Sequence, residues 1–468
     1  DYEIDGYHDE MFAEDGATRA VYQRLSSRLD RLNARHLDLR SALARDAFLA
    51  QGITFSHDGA ERAFPFDVLP RLIDADEWDH IARGLEQRVR ALDAFVRDVY
   101  RHRRAIHDGV IPNARIVNSP GYLREAVGIT PPLGRYVHVA GIDLVRGGDG
   151  RWLVLEDNLR NPSGLSYVLQ NRVFMRRVFP EAFSDYRVAP VGQAISYLRG
   201  ALAASSPDGE AEARIAVLTP GPGNAAYYEH AFLAQQLGVP LVEGSDLVVR
   251  GQRLFMKTTM GREPINVLYR RIDDAFLDPS CMRPDSLLGV GGLLQAYRRG
   301  HVAICNALGN GVADDKSVYA YVPDLIRYYT NEEPLLDQVP TFLLDREEDR
   351  EQALDRMDEL VVKSVDGSGG YGILIGPHAS PEEREAMSRR VVADPGGYIA
   401  QETVSLSTAP AFIDGTFRPR HVDLRPFVMF GAQPTVVPGG LTRVALEEGS
   451  LVVNSSQGGG GKDTWVVR

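Results

Sequence analysis

Lys363 ends a short apolar run, Leu360-Val-Val, and is followed by Ser-Val-Asp-Gly-Ser-Gly-Gly-Tyr-Gly372. Glycines at 367, 369, 370 and 372, with Ser368 and Tyr371 among them, let backbone N–H groups come close to an anion. An ammonium on the preceding strand end reaches the same oxygens. The segment reads as a phosphate cradle, with an ordinary glycine-rich hairpin as the bland alternative. It is not a P-loop, in which the lysine follows the glycines and opens a helix. Nor is it a dinucleotide fingerprint, which also needs a helix after its glycines. The Gly458–Asp463 run fails the P-loop pattern too, because Asp463 stands where Ser or Thr is required.

A second group lies far upstream. Tyr136–Val145 and Trp152–Glu156 read as two strands around the turn Arg146-Gly-Gly-Asp-Gly-Arg151. With that turn, Asp143 pairs with Val154, and alternation puts Val154, Glu156 and Asn158 on the face of Asp143. Two carboxylates and an amide oxygen are hard ligands of the kind Mg²⁺ uses between protein and phosphate. Asp157 points away. A solvated polar strand end is the alternative, but Glu156 directly follows the apolar run Trp152–Leu155, and a buried carboxylate needs a partner.

The elements that must carry these groups are legible in outline. Val21, Leu25, Leu29 and Leu32, and then Trp78 through Val99, recur at helical spacing. Asp74 or Asp76 caps the second helix, and Gly109 with Pro112 stops it. Residues 205–212 form a polar linker. Strands at 214–219, 239–242, 247–249 and 265–269, with a helix at 225–237, predict an α/β unit with a mainly parallel sheet. Val318–Tyr329 is predicted helical, and the last hundred residues read as strands joined by glycine turns. Arg270, Arg271, Asp273 and Asp274 follow the strand ending at Tyr269, where open α/β sheets bind ligands. Arg271 could grip a substrate carboxylate bidentately or belong to a structural ion-pair cluster. His230 is a weaker acceptor-side candidate, since a lone histidine on a helix is usually a packed one.

Composition bounds the function. The 468 residues carry 44% hydrophobic and 25% charged side chains, a globular mix with length for about three domains. A net charge of −12 argues against a broad grip on nucleic acid or anionic membrane. Two cysteines, Cys281 and Cys305, give no disulfide framework and suit a reducing, cytoplasmic setting. No apolar run approaches the roughly 20 residues of a membrane span. The chain opens on Asp1 rather than Met, as expected of a trimmed chain, and its start does not look like a signal peptide.

Taken together, these segments resemble the ATP-grasp superfamily, in particular D-alanine–D-alanine ligases and glutathionylspermidine synthetases. Asn306–Lys316 looks like that family's first lysine segment, Lys363 its second lysine, Tyr398-Ile-Ala-Gln401-Glu402 its adenine hinge, and Asp143, Glu156 and Asn158 its metal set. The order differs, because the metal set precedes Lys316 instead of following the hinge. That is a circular permutation. The stretches Pro65–Arg71, Leu155–Tyr167, Tyr269–Asp274, His421–Phe427 and Asn454–Gly459 resemble circularly permuted ATP-grasp proteins over nearly the whole chain. The resemblance implies a mixed α/β fold of ATP-grasp lobes with an additional α/β domain. The expected divisions are an N-terminal helical region 1–135, the permuted metal segment 136–185, a substrate domain 186–300, the lysine and glycine-loop lobe 301–397, and the remaining lobe 398–468.

The resemblance further implies an ATP-dependent ligase that uses ATP and two Mg²⁺ ions. It joins a small-molecule or peptide carboxylate to an amine through an acyl phosphate, with neither nucleic acid nor membrane as partner. An α/β ligase of this size is often a homodimer. One position departs: non-permuted ligases carry an arginine two residues before the metal-binding Asp, and here that residue is Gly141. Arg160, Arg425 and Arg443 are the candidates to replace it, with Arg425 and Arg443 preferred, because charge developing at the γ-phosphate calls for a cation. Two rivals stand beside the ligase: a phosphotransferase, for which His421 is the nearest phosphoryl acceptor, and a nucleotide-binding partner without turnover.

Overall fold

The computed structural model describes residues 2, 4, 6–57, 60–365, 367, 372–451, 453 and 459–468. Its frame is an eight-stranded sheet among the described residues. Across that sheet run Asp337–Gln338, Trp152–Asn158, Val139–Arg146, Thr416–Phe430, Pro434–Val444, Gly460–Val467 and Phe66–Asp74, with Thr408–Ile413 paired to Thr416–Phe430. Segments 300 residues apart in sequence are therefore immediate neighbours, as the permuted order requires. The two outermost pairings are parallel and the inner ones antiparallel.

The N-terminal region 1–135, expected to be helical, also supplies the edge strand Phe66–Asp74. That strand leads into the helix Ala75–Tyr100, which Asp74 caps by accepting from the Asp76 amide at 2.9 Å. Trp78, Ile81, Leu85, Val89, Leu92, Phe95, Val96 and Val99 are all buried in the main core, each stabilising the fold by about 1.5–3 kcal/mol. The helix ends at Tyr100, well before Gly109. Arg103 takes a left-handed backbone, and the Asp98 carboxylate accepts from the Ala105 amide at 2.9 Å to start a new short helix.

Two four-stranded sheets accompany this frame. The four strands Ala303–Cys305, Val267–Arg270, Ile215–Leu218 and Leu241–Val242 are parallel throughout, as predicted, whereas Leu247–Arg250 pairs separately and antiparallel with Arg253–Thr258. The strands Thr341–Leu343, Tyr398–Glu402, Leu360–Ser364 and Leu374–Ile375 form an antiparallel sheet. The stretch predicted as one helix from Val318 is two, Lys316–Tyr319 and Val322–Thr330, the second opening with Pro323 in its first turn. Among the described residues no helix is long and apolar enough to cross a membrane.

Candidate active site

Between the hinge sheet and one face of the large sheet lies a cleft with about 1020 Å³ of empty space including its mouth. Its walls differ. Val361, Ile373, Ile375, Leu406, Leu451 and Val453 make one part apolar, while Asp143, Glu156, Lys363, Asp423 and Arg443 make the other ionic. A planar apolar group suits the first and a polyanion with cations the second.

The ionic wall is a row across four neighbouring strands. Asp143 and Glu156 are direct cross-strand partners, because a bulge between Asp143 and Leu144 shifts the register that a regular hairpin predicts. Val154 pairs with Leu144 instead and is fully buried. The extra residue leaves Glu156 facing the cleft and turns Asp157 inward. There Asp157 accepts two bonds from Arg88, at 2.7 and 2.6 Å. The next strand carries Asp423 and Arg425, and the one beyond it carries Arg443, in register with Asp423.

Asp143 is the centre of this row. Arg425 donates to both its oxygens, Nε to Oδ1 at 2.5 Å and Nη2 to Oδ2 at 2.8 Å, and Arg443 Nη2 donates to Oδ2 at 2.7 Å. Burial works to raise the Asp143 carboxyl, but the Arg425 and Arg443 guanidiniums hold it at about 2. Burial pushes Asp423 up, against the pull of Arg443. Asp423 was not singled out in the sequence. Its alternation with Arg425, in the stretch Val422-Asp-Leu-Arg425, was the signal available.

The two lysines come from opposite sides. Asp315 caps the helix that begins at Lys316 by accepting from the Ser317 amide at 2.7 Å, and Ser119 donates to the same carboxylate. Lys316 Nζ reaches Glu156 Oε1 at 2.8 Å and also donates to the Gly367 carbonyl. Lys363 pairs with Ile399 of the hinge strand and donates to Gln401 Oε1 at 2.6 Å. Burial lowers the Lys363 ammonium to about 8, with Glu156 opposing and Lys316 adding to the shift. Of the glycine cradle, Gly367 and Gly372 are described, and Gly372 is left-handed. Ser368, Gly369, Gly370 and Tyr371 lie outside the described residues. In the hinge, Glu402 lines the cleft and accepts from Arg356.

Other candidates are placed differently. Arg160 is about one-third exposed and paired with Asp314, next to the Lys316 segment. Arg270 is fully buried, donating to Asn306, Ile272 and Ala307 carbonyls and paired with Asp274. Arg271 is buried against Pro162, Ser163 and Glu229. Of the two readings of Arg271, these contacts are those of the ion-pair cluster: both guanidiniums are buried against protein partners, and only Asp273 of that group is exposed. His230 is buried, with Nδ1 2.9 Å from the Thr219 hydroxyl, and burial, then Arg271, lowers it to about 3. His421 is buried edge-on to Tyr7, its Nδ1 2.9 Å from the Leu406 carbonyl.

The sequence model of the circularly permuted ATP-grasp type 2 family matches residues 70–445. This chain belongs to that family. An uncharacterised protein of Mycobacterium tuberculosis is 52% identical to this circularly permuted ATP-grasp chain over 460 residues, 98% of the chain and 84% of the relative. A Frankia alni protein named "Putative glutamate--cysteine ligase 2-3" is 46% identical over the whole chain, which spans 54% of that protein. A glutathione synthetase-like effector from Globodera pallida shares the fold, with a TM-score of 0.61 at 14% identity, covering 93% of this chain and 98% of its own.

The donors of this ATP-grasp cleft fit a divalent cation in kind. Glu156 is about a quarter exposed and lines the cleft, whereas Asn158, two residues on, is not among the lining residues and would bring its amide oxygen, not its buried nitrogen, to a cation. Asp143 has about four lone-pair directions; the three guanidinium bonds leave one, on Oδ1. Among the described residues no three His, Cys, Asp or Glu side chains form a metal cage. A set of two carboxylates and an amide leaves most of the coordination to phosphate and water, as Mg²⁺ prefers.

Proposed function

We propose that this chain is an ATP-dependent carboxylate–amine ligase working through an acyl phosphate. The observation that carries the reading is the convergence of Lys363, Glu156, Asp143 and Arg443 from widely separated segments at the ionic end of a cleft whose other end is apolar, with Lys316 paired to Glu156 and Arg425 to Asp143. In this reading the adenine rests against the apolar wall beside Gln401 and Glu402. The triphosphate extends past Lys363 and Lys316 toward the carboxylate row. Glu156, Asn158 and Asp143 would hold Mg²⁺, which offsets phosphate charge when bound.

The residues themselves position and neutralise. A buried Lys363 and a guanidinium with free N–H groups are fixed before substrate arrives, so little reorganisation accompanies the transfer. A carboxylate is already ionised at neutral pH and needs no general base. The name of the Frankia relative supports a carboxylate–amine pair as substrates, although the chain spans about half of that protein. Soluble cytoplasmic operation, a homodimer and the five-part division of the chain belong to the same proposal. The test is phosphate release from ATP across a panel of amino acids and short peptides, with mass spectrometry of products. Amide and ADP support the ligase; phosphoester and ADP make the protein a kinase.

A further inference from the structure

Arg425 has five N–H donors. Two go to Asp143 and one, from Nη1, to the Ser163 carbonyl at 3.2 Å, which leaves two of the five. The Ser163 contact is held from behind. Arg271 Nη1 donates to the Pro162 carbonyl at 3.0 Å, and Nη2 donates to the Ser163 hydroxyl at 2.6 Å and to Glu229 Oε1 at 3.1 Å. Glu229 Oε2 accepts from the Gly164 amide at 2.7 Å and from the Ser166 amide and hydroxyl at 3.1 and 2.9 Å. It thereby caps the helix Leu165–Val178, whose first amides attract an anion.

Arg271 and Glu229 are almost fully buried, their side chains 1% and 2% exposed. A buried ion pair is weak support for stability, since well-packed apolar residues often do as well. This pair fixes a geometry instead. It clamps Pro162-Ser163-Gly164 at both ends, and Arg425 leans on the middle. We propose that Arg271 and Glu229, in the α/β domain, are positioning residues that hold the loop Pro162–Gly164 so that Arg425 presents its two remaining donors to the transferred phosphoryl group. This inference rests on the proposed role of Arg425 and assigns Arg271 a task other than substrate capture.

A double-mutant cycle tests it. Arg271→Lys should lower kcat for ATP consumption by about 10- to 100-fold, the cost of a misplacement near 1 Å, with KM for ATP within about twofold. Arg425→Lys should do the same, and the double variant should be no worse than Arg425→Lys alone. Ser163→Ala, which deletes the hydroxyl's bond from Arg271 and its long 3.4 Å bond to the Asn161 carbonyl, should give a smaller loss that vanishes in the Arg271→Lys background. In ¹⁵N-arginine spectra, the Arg425 Nε–Hε resonance, assigned by its loss in Arg425→Lys, should move in Arg271→Lys and Ser163→Ala. Multiplicative losses, or an unmoved resonance, overturn the positioning role. If Arg425→Lys leaves turnover unchanged while the resonance moves, the clamp stands and the proposed role of Arg425 fails.

Discussion

The stem of Arg425 lies where a side chain on Gly141 would go. A Cβ built at 141 stands 3.3 Å from Arg425 Cδ and 2.9 Å from Pro162 Cβ. Non-permuted relatives place their arginine at the position of Gly141. In the proposed reading, Arg425, which the neighbouring strand sends across the same space, supplies that cation from a different point of attachment.

That exchange makes Gly141 sensitive to small changes. Gly141→Ala should push Arg425 off Asp143 and cut turnover by tenfold or more (about 1.4 kcal/mol or more in the barrier), with a stability cost of about 1–3 kcal/mol from overpacking. Steady-state ADP release and thermal melting measure both. Wild-type turnover in this variant would show that the contact has slack.

Glu156 and Asp157 are adjacent yet should fail differently. Glu156→Gln should leave melting nearly unchanged and sharply reduce ATP turnover, because the amide lacks the charge that Mg²⁺ and Lys316 meet. From alternation alone Asp157 looks dispensable. Its buried bidentate pairing with Arg88 says otherwise: Asp157→Asn should destabilise by about 3–5 kcal/mol, read as a lower denaturation midpoint. Equal effects of the two substitutions on melting would contradict the bulged register.

Nucleotide affinity should depend on pH through Lys363. Its ammonium is lowered to about 8 by burial, and a bound triphosphate should draw it back toward the ordinary lysine value near 10.4. Affinity should be flat below pH 8 and fall as pH rises through 8, with proton uptake on binding in that window. Calorimetry in buffers of differing ionisation enthalpy measures the uptake. No uptake at pH 9 would place Lys363 away from the phosphates.

Much of the candidate site could be proposed from the sequence because its parts are local. Lys363 before glycines, Glu156-x-Asn158 after an apolar run and Lys316 after a polar loop each state their chemistry within ten residues. The parallel sheet was readable for the same reason, since apolar strands alternate there with helical spacing. What escaped depends on contacts hundreds of residues apart. The bulge that pairs Asp143 with Glu156, the edge strand Phe66–Asp74 beside Gly460–Val467, and the burial of Arg271 against Glu229 are tertiary outcomes. Arg271 in particular carries the same local pattern whether it faces a ligand or a buried glutamate.

The central claim is that this cleft activates a carboxylate as its acyl phosphate, and hydroxylamine tests it most directly. With MgATP, a carboxylate substrate and hydroxylamine present, the account predicts an acyl hydroxamate formed in step with ADP, lost in Glu156→Gln and Arg425→Lys. A stable phosphoester, phosphohistidine at His421, or ATP bound without consumption under those conditions would contradict it.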